Sequence, residues 1–393
     1  MDKIKTLIVQ ELWWPKGRGG VLATHLITRM LARHDFEVRV VTGVKGYEAI
    51  DDVEFIYEPK LRAYNKLRLW LNTHALSREN WFRRLVEWAD IVYIPRYAYP
   101  VIHVARTLRR RVVVHLHDYQ PISYTAVIFH KDRFRSDFTR TFYYESHQHG
   151  LAKALIASPL TPINRLARKW VSQADMIICV SNRQREIIEE KMPEIRGRTT
   201  AIYNPLPNIP FADKRLTNEK ILLYLGGSSF VKGFRIALKA IDEVLKRHRD
   251  LRVIMTGVKR GEVLTQNCIV YEELPHEEVV KLHATAYALL FPSICEEPLP
   301  YVVVESMLMG TIPIAAKVGG VPEIVRGSPA EDYLFTPKDI DEFIDKVGIL
   351  LSQSRDSVVD AGMRLREHAL RLFNEKEVES KIVNLFESLL SQK

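Results

Sequence analysis

The sequence predicts an α/β protein made of two parallel-sheet domains. Two observations lead there. Short runs rich in Val, Ile and Leu alternate with segments of helical periodicity, as strands covered on both faces would require. A proline-rich stretch, Asn204-Pro205-Leu206-Pro207-Asn208-Ile209-Pro210, then breaks the alternation before it starts again. A chain of 393 residues also exceeds one ordinary core.

The first strand is expected over residues 5–9, followed by a loop over 11–20. Residues 21–33 place Leu22, Leu26 and Met30 beside Ala23, Ile27 and Leu31 in one apolar helical stripe. Further strands are expected over 36–41, 91–94, 112–116, 176–180 and 200–203. Beyond the prolines, strands are expected over 221–225, 251–256, 268–270, 288–291 and 312–315. Helical patterns over about 338–352, 356–372 and 375–391 close the chain. The expected domains are therefore residues 1–205 and 206–374, with a helix over about 375–393 packing back on the first. The space between two such domains is the default place for a ligand.

Composition narrows the class. Apolar residues make up 47% of the chain, which excludes disorder. No apolar run reaches the roughly 20 residues needed to span a bilayer. The start, Met1-Asp2-Lys3-Ile4-Lys5, shows no leader pattern, so a cytoplasmic setting is expected. Cys179, Cys268 and Cys295 lie far apart, which suits free thiols and offers no metal-binding spacing. The net charge of +9 is uneven: residues 1–205 hold 33 Lys+Arg against 21 Asp+Glu, the remainder 24 against 27. The first half thus faces or tolerates an anionic partner.

Five segments carry candidate chemistry. Glu297-Pro298-Leu299-Pro300 sits between an apolar strand and an apolar helix that begins near Tyr301, contains Glu305 and stops at Gly310. In an open α/β sheet, ligands bind beyond such strand ends. Gly226-Gly227-Ser228-Ser229-Phe230-Val231-Lys232-Gly233 links a strand to a helix, where backbone amides and a lysine suit phosphate, although the spacing is not that of a Walker loop. Gly319-Gly320-Val321-Pro322 is a second glycine turn before a helix. In the first half, Lys16-Gly17-Arg18-Gly19-Gly20 follows the first strand, and His117-Asp118 ends another. Each has a plain structural alternative: a tight turn, a surface carboxylate or a core histidine. Carboxylates beside a phosphate site would face hydroxyls, and a nucleotide sugar has hydroxyls at both ends.

Taken together, these segments resemble the retaining glycosyltransferases of GT-B fold in family four. The resemblance rests on Gly19-Gly20 with His25, His117-Asp118, Tyr203-Asn204-Pro205, Lys232-Gly233, the Glu297-x7-Glu305 pair and Gly319-Gly320-Val321-Pro322-Glu323. It implies two Rossmann-like domains facing each other across a cleft. It further implies that Lys232 neutralises the donor diphosphate, Glu305 holds the ribose and Glu297 the hexose. His117 would reach the transferred sugar, and Gly20 would let the first loop close on the diphosphate. Gly226, Gly227, Leu299, Gly319 and Gly320 would complete the donor site. The resemblance implies a UDP- or GDP-sugar donor, retention at the anomeric carbon, and no metal or other cofactor. Two departures stand out. Gly227 occupies a position where the family commonly has arginine, for which Arg235 is a possible substitute, and Leu299-Pro300 replaces Phe-Gly, removing one amide donor.

The expected acceptor is a sugar hydroxyl or lipid-linked glycan. Residues 60–88 and the insert 119–172 interleave aromatic and basic side chains, which suits peripheral docking on an anionic membrane. The competing readings are a GT-B-shaped nucleotide-sugar epimerase or phosphorylase and, more distantly, a nucleic-acid-binding protein. No nucleic-acid-binding motif supports the last, so nucleic acid is not an expected partner.

Overall fold

The computed structural model describes residues 3–17, 19–63, 65–207, 214–217, 219–248, 250–263 and 267–391. Arg18, Tyr64 and residues 208–210 of the expected proline-rich linker lie outside the described residues.

Two all-parallel sheets form the framework. The first contains β1 (Ile4–Gln10), β2 (Phe36–Thr42), β3 (Val53–Tyr57), β4 (Ile91–Ile94), β5 (Arg111–Leu116), β6 (Met176–Cys179) and β7 (Thr199–Ala201), in the order β3-β2-β1-β4-β5-β6-β7. The second contains β8 (Lys220–Tyr224), β9 (Leu251–Thr256), β10 (Cys268–Tyr271), β11 (Ala288–Phe291), β12 (Ile312–Ala316) and β13 (Leu334–Phe335), in the order β10-β9-β8-β11-β12-β13. Both are Rossmann-like, and each reverses direction beside its first strand. That reversal leaves a crevice beyond the carboxyl ends of β1 and β4 in one sheet and of β8 and β11 in the other.

The expected strands are present, with ends that differ by a residue or two. The structure adds two. The strand β3 is only partly buried and carries Glu54, so it shows no continuous apolar run. The strand β13 has two residues, too few for a periodic signal.

The chain divides into two compact units. One comprises Met1–Ala126, Pro162–Pro207 and Phe373–Lys393, the other Val127–Thr161 and Asn208–Leu372. The helix Glu375–Ser391 supplies Val378, Ile382, Phe386 and Leu389 to the core of the first unit, with Ile8, Ile27, Phe36 and Tyr93. Phe386 meets Phe36 and Tyr93 edge-on at 6.1 and 5.5 Å. Burying each such side chain stabilises the unit by roughly 1.5–3 kcal/mol.

The insert departs from the boundary drawn at residue 205. Residues 127–161 belong to the second unit. Phe129 makes an antiparallel bridge to Cys295; Glu296 N–H donates to Ile128 O at 2.7 Å and His130 N–H to Ile294 O at 3.1 Å. The backbone beyond β11 thereby finds partners in a segment far earlier in the chain. Among the described residues, no helix is long and apolar enough to cross a membrane.

Candidate functional site

In the second unit, the loops after β8 and β11 flank the crevice, and each delivers one charged side chain. Lys232 lies on the turn leading into the helix Phe234–Arg247, and Glu297 lies just past β11. Lys232 Nζ is 2.6 Å from Glu297 Oε1. The same oxygen accepts from Ser293 Oγ at 3.0 Å and Cys295 Sγ at 3.2 Å. Burial, followed by the Glu297 charge, pushes the Cys295 thiol well above its ordinary range, so it acts as a neutral donor. Glu297 is 8% exposed, and a carboxylate this buried requires such partners. The Lys232 side chain is 35% exposed and so keeps one side open to solvent. Gly226 and Gly227 form the turn before it. Tyr224 Oη donates to the Gly227 carbonyl at 3.0 Å, and a Cβ on Gly226 would stand 2.6 Å from that same Oη. Arg235 is exposed on the first turn of the helix.

The second glycine turn closes onto the same loop. Gly320 N–H donates to the Glu297 carbonyl at 2.8 Å. Gly319 adopts φ +53°, and a Cβ there would fall 1.9 Å from that carbonyl oxygen. Only glycine allows this approach. The Gly319 N–H donates to Glu296 Oε2 at 2.6 Å, and Glu296 Oε1 lies 3.1 Å from His130 Nδ1. Neither Glu296 nor His130 was expected from the sequence. The doubled acid Glu296-Glu297 was the available signal for the first; nothing local marks the second.

Glu305 sits in the helix Tyr301–Leu308 and pairs with His276 at 3.0 Å. That hydrogen bond raises the His276 pKa. Leu299 is buried, and between Glu297 and Tyr301 it alone offers a backbone N–H, because residues 298 and 300 are prolines. The structure thus gathers Lys232, Glu297, Gly319 and Gly320 around one loop, with Glu305 on the helix that follows it.

In the first unit, the expected residues converge beyond β1, β4 and β5. Gly20 lies in the first turn of the helix Gly19–Ala32, and a Cβ there would stand 2.9 Å from His117 Cγ. The His117 ring also packs on His115 at 4.3 Å between centroids. Burial holds the His117 pKa well below its ordinary value, and His115 and Arg96 add to the effect. Asp118 accepts from Tyr97 Oη and, at 2.9 Å, from Gln120 N–H, while burial raises its pKa. Arg96 Nε donates to Glu11 Oε1 at 2.7 Å across the β1–β4 crevice. His25 is a core side chain, 2% exposed, with Nε2 3.3 Å from Glu48.

The interleaved aromatic and basic residues divide differently from the expected membrane-facing pattern. Trp70 and Phe82 are buried in the first unit. In the insert, Phe129 and Tyr143 turn inward onto Phe230, and Phe134 packs on both of them. Lys131, Arg133 and Arg135 remain exposed. The helix Leu151–Ala157 does show Leu151, Leu155 and Ile156 to solvent, at 65, 65 and 69% exposure.

Comparison with known proteins agrees with this framework. Residues 17–207 match Glycosyltransferase Family 4, and residues 207–368 match Glycosyl transferases group 1. The chain is 21% identical over 250 residues to spore coat protein SA of Bacillus subtilis (strain 168), covering 55% of this chain and 66% of that protein. Matched stretches span two thirds or less of the curated relatives' own length. Sucrose-phosphate synthase from Thermosynechococcus elongatus superposes with a TM-score of 0.75 at 17% identity, over 100% of both chains. The Anabaena protein HepE, solved in complex with UDP and glucose, superposes with a TM-score of 0.67 at 16% identity, over 98% of this chain and 100% of that one. With two adjoining family matches running from residue 17 to 368 and two Rossmann-like sheets of the same strand order, the chain belongs to the group 1 glycosyltransferases of GT-B fold.

Proposed function

We propose that the protein transfers a hexose from a nucleotide diphosphate sugar to a hydroxyl acceptor, with retention of configuration and without a metal. The observation that carries this reading is the Lys232–Glu297 pair, set between two loops at the crevice of the second sheet. Lys232 is the mobile cation for the departing diphosphate, and Glu297 supplies acceptors for sugar hydroxyls. Glu305 takes the ribose, while Leu299, Gly226, Gly227, Gly319 and Gly320 shape the backbone around the donor. His117 is the first unit's candidate for the transferred sugar; held neutral by burial, it can offer a hydrogen bond without carrying charge. Catalysis would rest on orientation and electrostatic stabilisation of the leaving group. The UDP and glucose bound to HepE support a UDP-sugar donor.

Thermal-shift measurements with UDP, GDP and their sugars test the donor assignment, because a bound ligand raises the melting temperature by mass action. Stabilisation by neither nucleotide would remove the reading. Product analysis by NMR then tests retention: a product of inverted anomeric configuration excludes it. A donor-only incubation detects epimerase chemistry, which needs no hydroxyl acceptor, and an incubation with a glycan and inorganic phosphate detects phosphorylase chemistry, in which phosphate takes up the sugar.

The exposed Leu151, Leu155 and Ile156, with Lys131, Arg133 and Arg135 exposed on the same insert, favour an acceptor presented at an anionic lipid surface. Co-sedimentation with phosphatidylglycerol vesicles at low salt tests this. Absence of binding would leave a water-soluble acceptor.

A further inference from the structure

We propose that the insert 128–148 is a positioning element for the donor site and that His130 is its key side chain. This rests on the donor reading above. Two separate contacts join the insert to the two halves of that site. At one end, His130 Nδ1 faces Glu296 Oε1 at 3.1 Å, and Glu296 Oε2 holds the Gly319 N–H at 2.6 Å. At the other, Gln148 Oε1 accepts the Phe230 N–H at 2.6 Å, and the His147 ring stacks on Phe230 at 4.7 Å. Phe230 belongs to the loop that carries Lys232, while Glu296 and Gly319 frame Glu297.

The physical role follows from burial. The Glu296 side chain is only 3% exposed, so its carboxylate depends on protein donors. With its proton on Nδ1, His130 supplies one, leaving Glu296 Oε2 aimed at Gly319. The backbone reinforces the arrangement through the Phe129–Cys295 bridge and its two flanking hydrogen bonds. The His130 side chain bonds to Glu296, which is not among the groups proposed to contact the donor. It acts through Glu296, which fixes the glycine turn against the Glu297 carbonyl.

The test uses the full chain with His130→Ala, His130→Gln and Gln148→Ala. The readouts are UDP and GDP affinity by calorimetry, donor and acceptor KM, and amide exchange of a peptide spanning residues 318–321. For His130→Ala we expect donor affinity and donor KM to worsen about tenfold, the scale of one lost charge-assisted hydrogen bond. Acceptor KM should stay unchanged, and the 318–321 amides should exchange faster. His130→Gln, which retains a donor, should return donor KM to within about threefold of wild type. Gln148→Ala should weaken donor binding without altering exchange at 318–321. Wild-type donor KM in His130→Ala, or equal loss in His130→Ala and His130→Gln, overturns the proposal. If wild type binds neither nucleotide, the donor reading itself fails, and this assignment fails with it.

Discussion

Lys232 Nζ and Glu297 Oε1 stand 2.6 Å apart, so the cation assigned to the diphosphate and the carboxylate assigned to the sugar form one ion pair. A donor entering this site must share Lys232 with Glu297. Lys232→Ala removes the leaving-group cation and one of three donors to a buried carboxylate. Turnover should drop by about 10²–10³, the usual scale for losing a preorganised electrostatic contact. Steady-state kinetics with the nucleotide sugar selected by thermal shift will measure it, and activity near wild type would remove Lys232 from its role.

Gly20→Ala probes the other unit. The new Cβ would press on the His117 ring from 2.9 Å. The ring is backed by His115, so it must rotate or shift. Activity should fall about tenfold or more, with a stability loss of ~1–3 kcal/mol from the overpacked contact, read as a lowered melting temperature. A fully active Gly20→Ala enzyme would show that the His117 position is unimportant.

Gly319→Ala should act on both folding and binding. Its Cβ would collide with the Glu297 carbonyl at 1.9 Å, and alanine is strained at φ +53°. A loss exceeding ~1 kcal/mol in urea unfolding is expected, together with a weakened thermal shift by the donor nucleotide. An unchanged urea midpoint would mean that the turn relaxes freely.

Buried histidines set an acid limit. Burial holds His115 and His283 at about 3, against an ordinary 6.5, and depresses His117 in the same direction. Below 6.5 the unfolded chain takes up protons that the folded chain refuses, so folding stability is intact above that pH and falls as pH decreases towards 3. Each such histidine contributes a slope approaching ~1.4 kcal/mol per pH unit. Urea midpoints should therefore decline from about pH 7 to about pH 5. His283→Leu, which keeps an apolar volume in a fully buried place, should flatten that decline, and a pH-independent wild-type midpoint would refute the account.

Much of this architecture is legible in the sequence because parallel strands covered on both faces are written as local apolar runs. The runs at 91–94, 251–256 and 288–291 coincide with β4, β9 and β11. Lys232, Glu297 and the Gly319-Gly320 turn were legible for a related reason: each lies in the loop that follows a strand. What stayed hidden depends on distant partners. The aromatic residues of the insert resemble an outward face until Phe230 is known to cover Phe129 and Tyr143. Of the adjacent acids Glu296 and Glu297, only tertiary contacts decide that one grips Gly319 and the other Lys232.

The division into units also governs how the molecule is put together. The chain passes between them four times, after residues 126, 161, 207 and 372. A single cut in the proline-rich linker would therefore give two fragments, each carrying parts of both units. During synthesis, residues 127–161 leave the ribosome before any strand of the sheet they will join. The second unit is thus completed by a segment made in advance, and a fragment beginning at residue 208 would lack the backbone that pairs with Ile294 and Glu296.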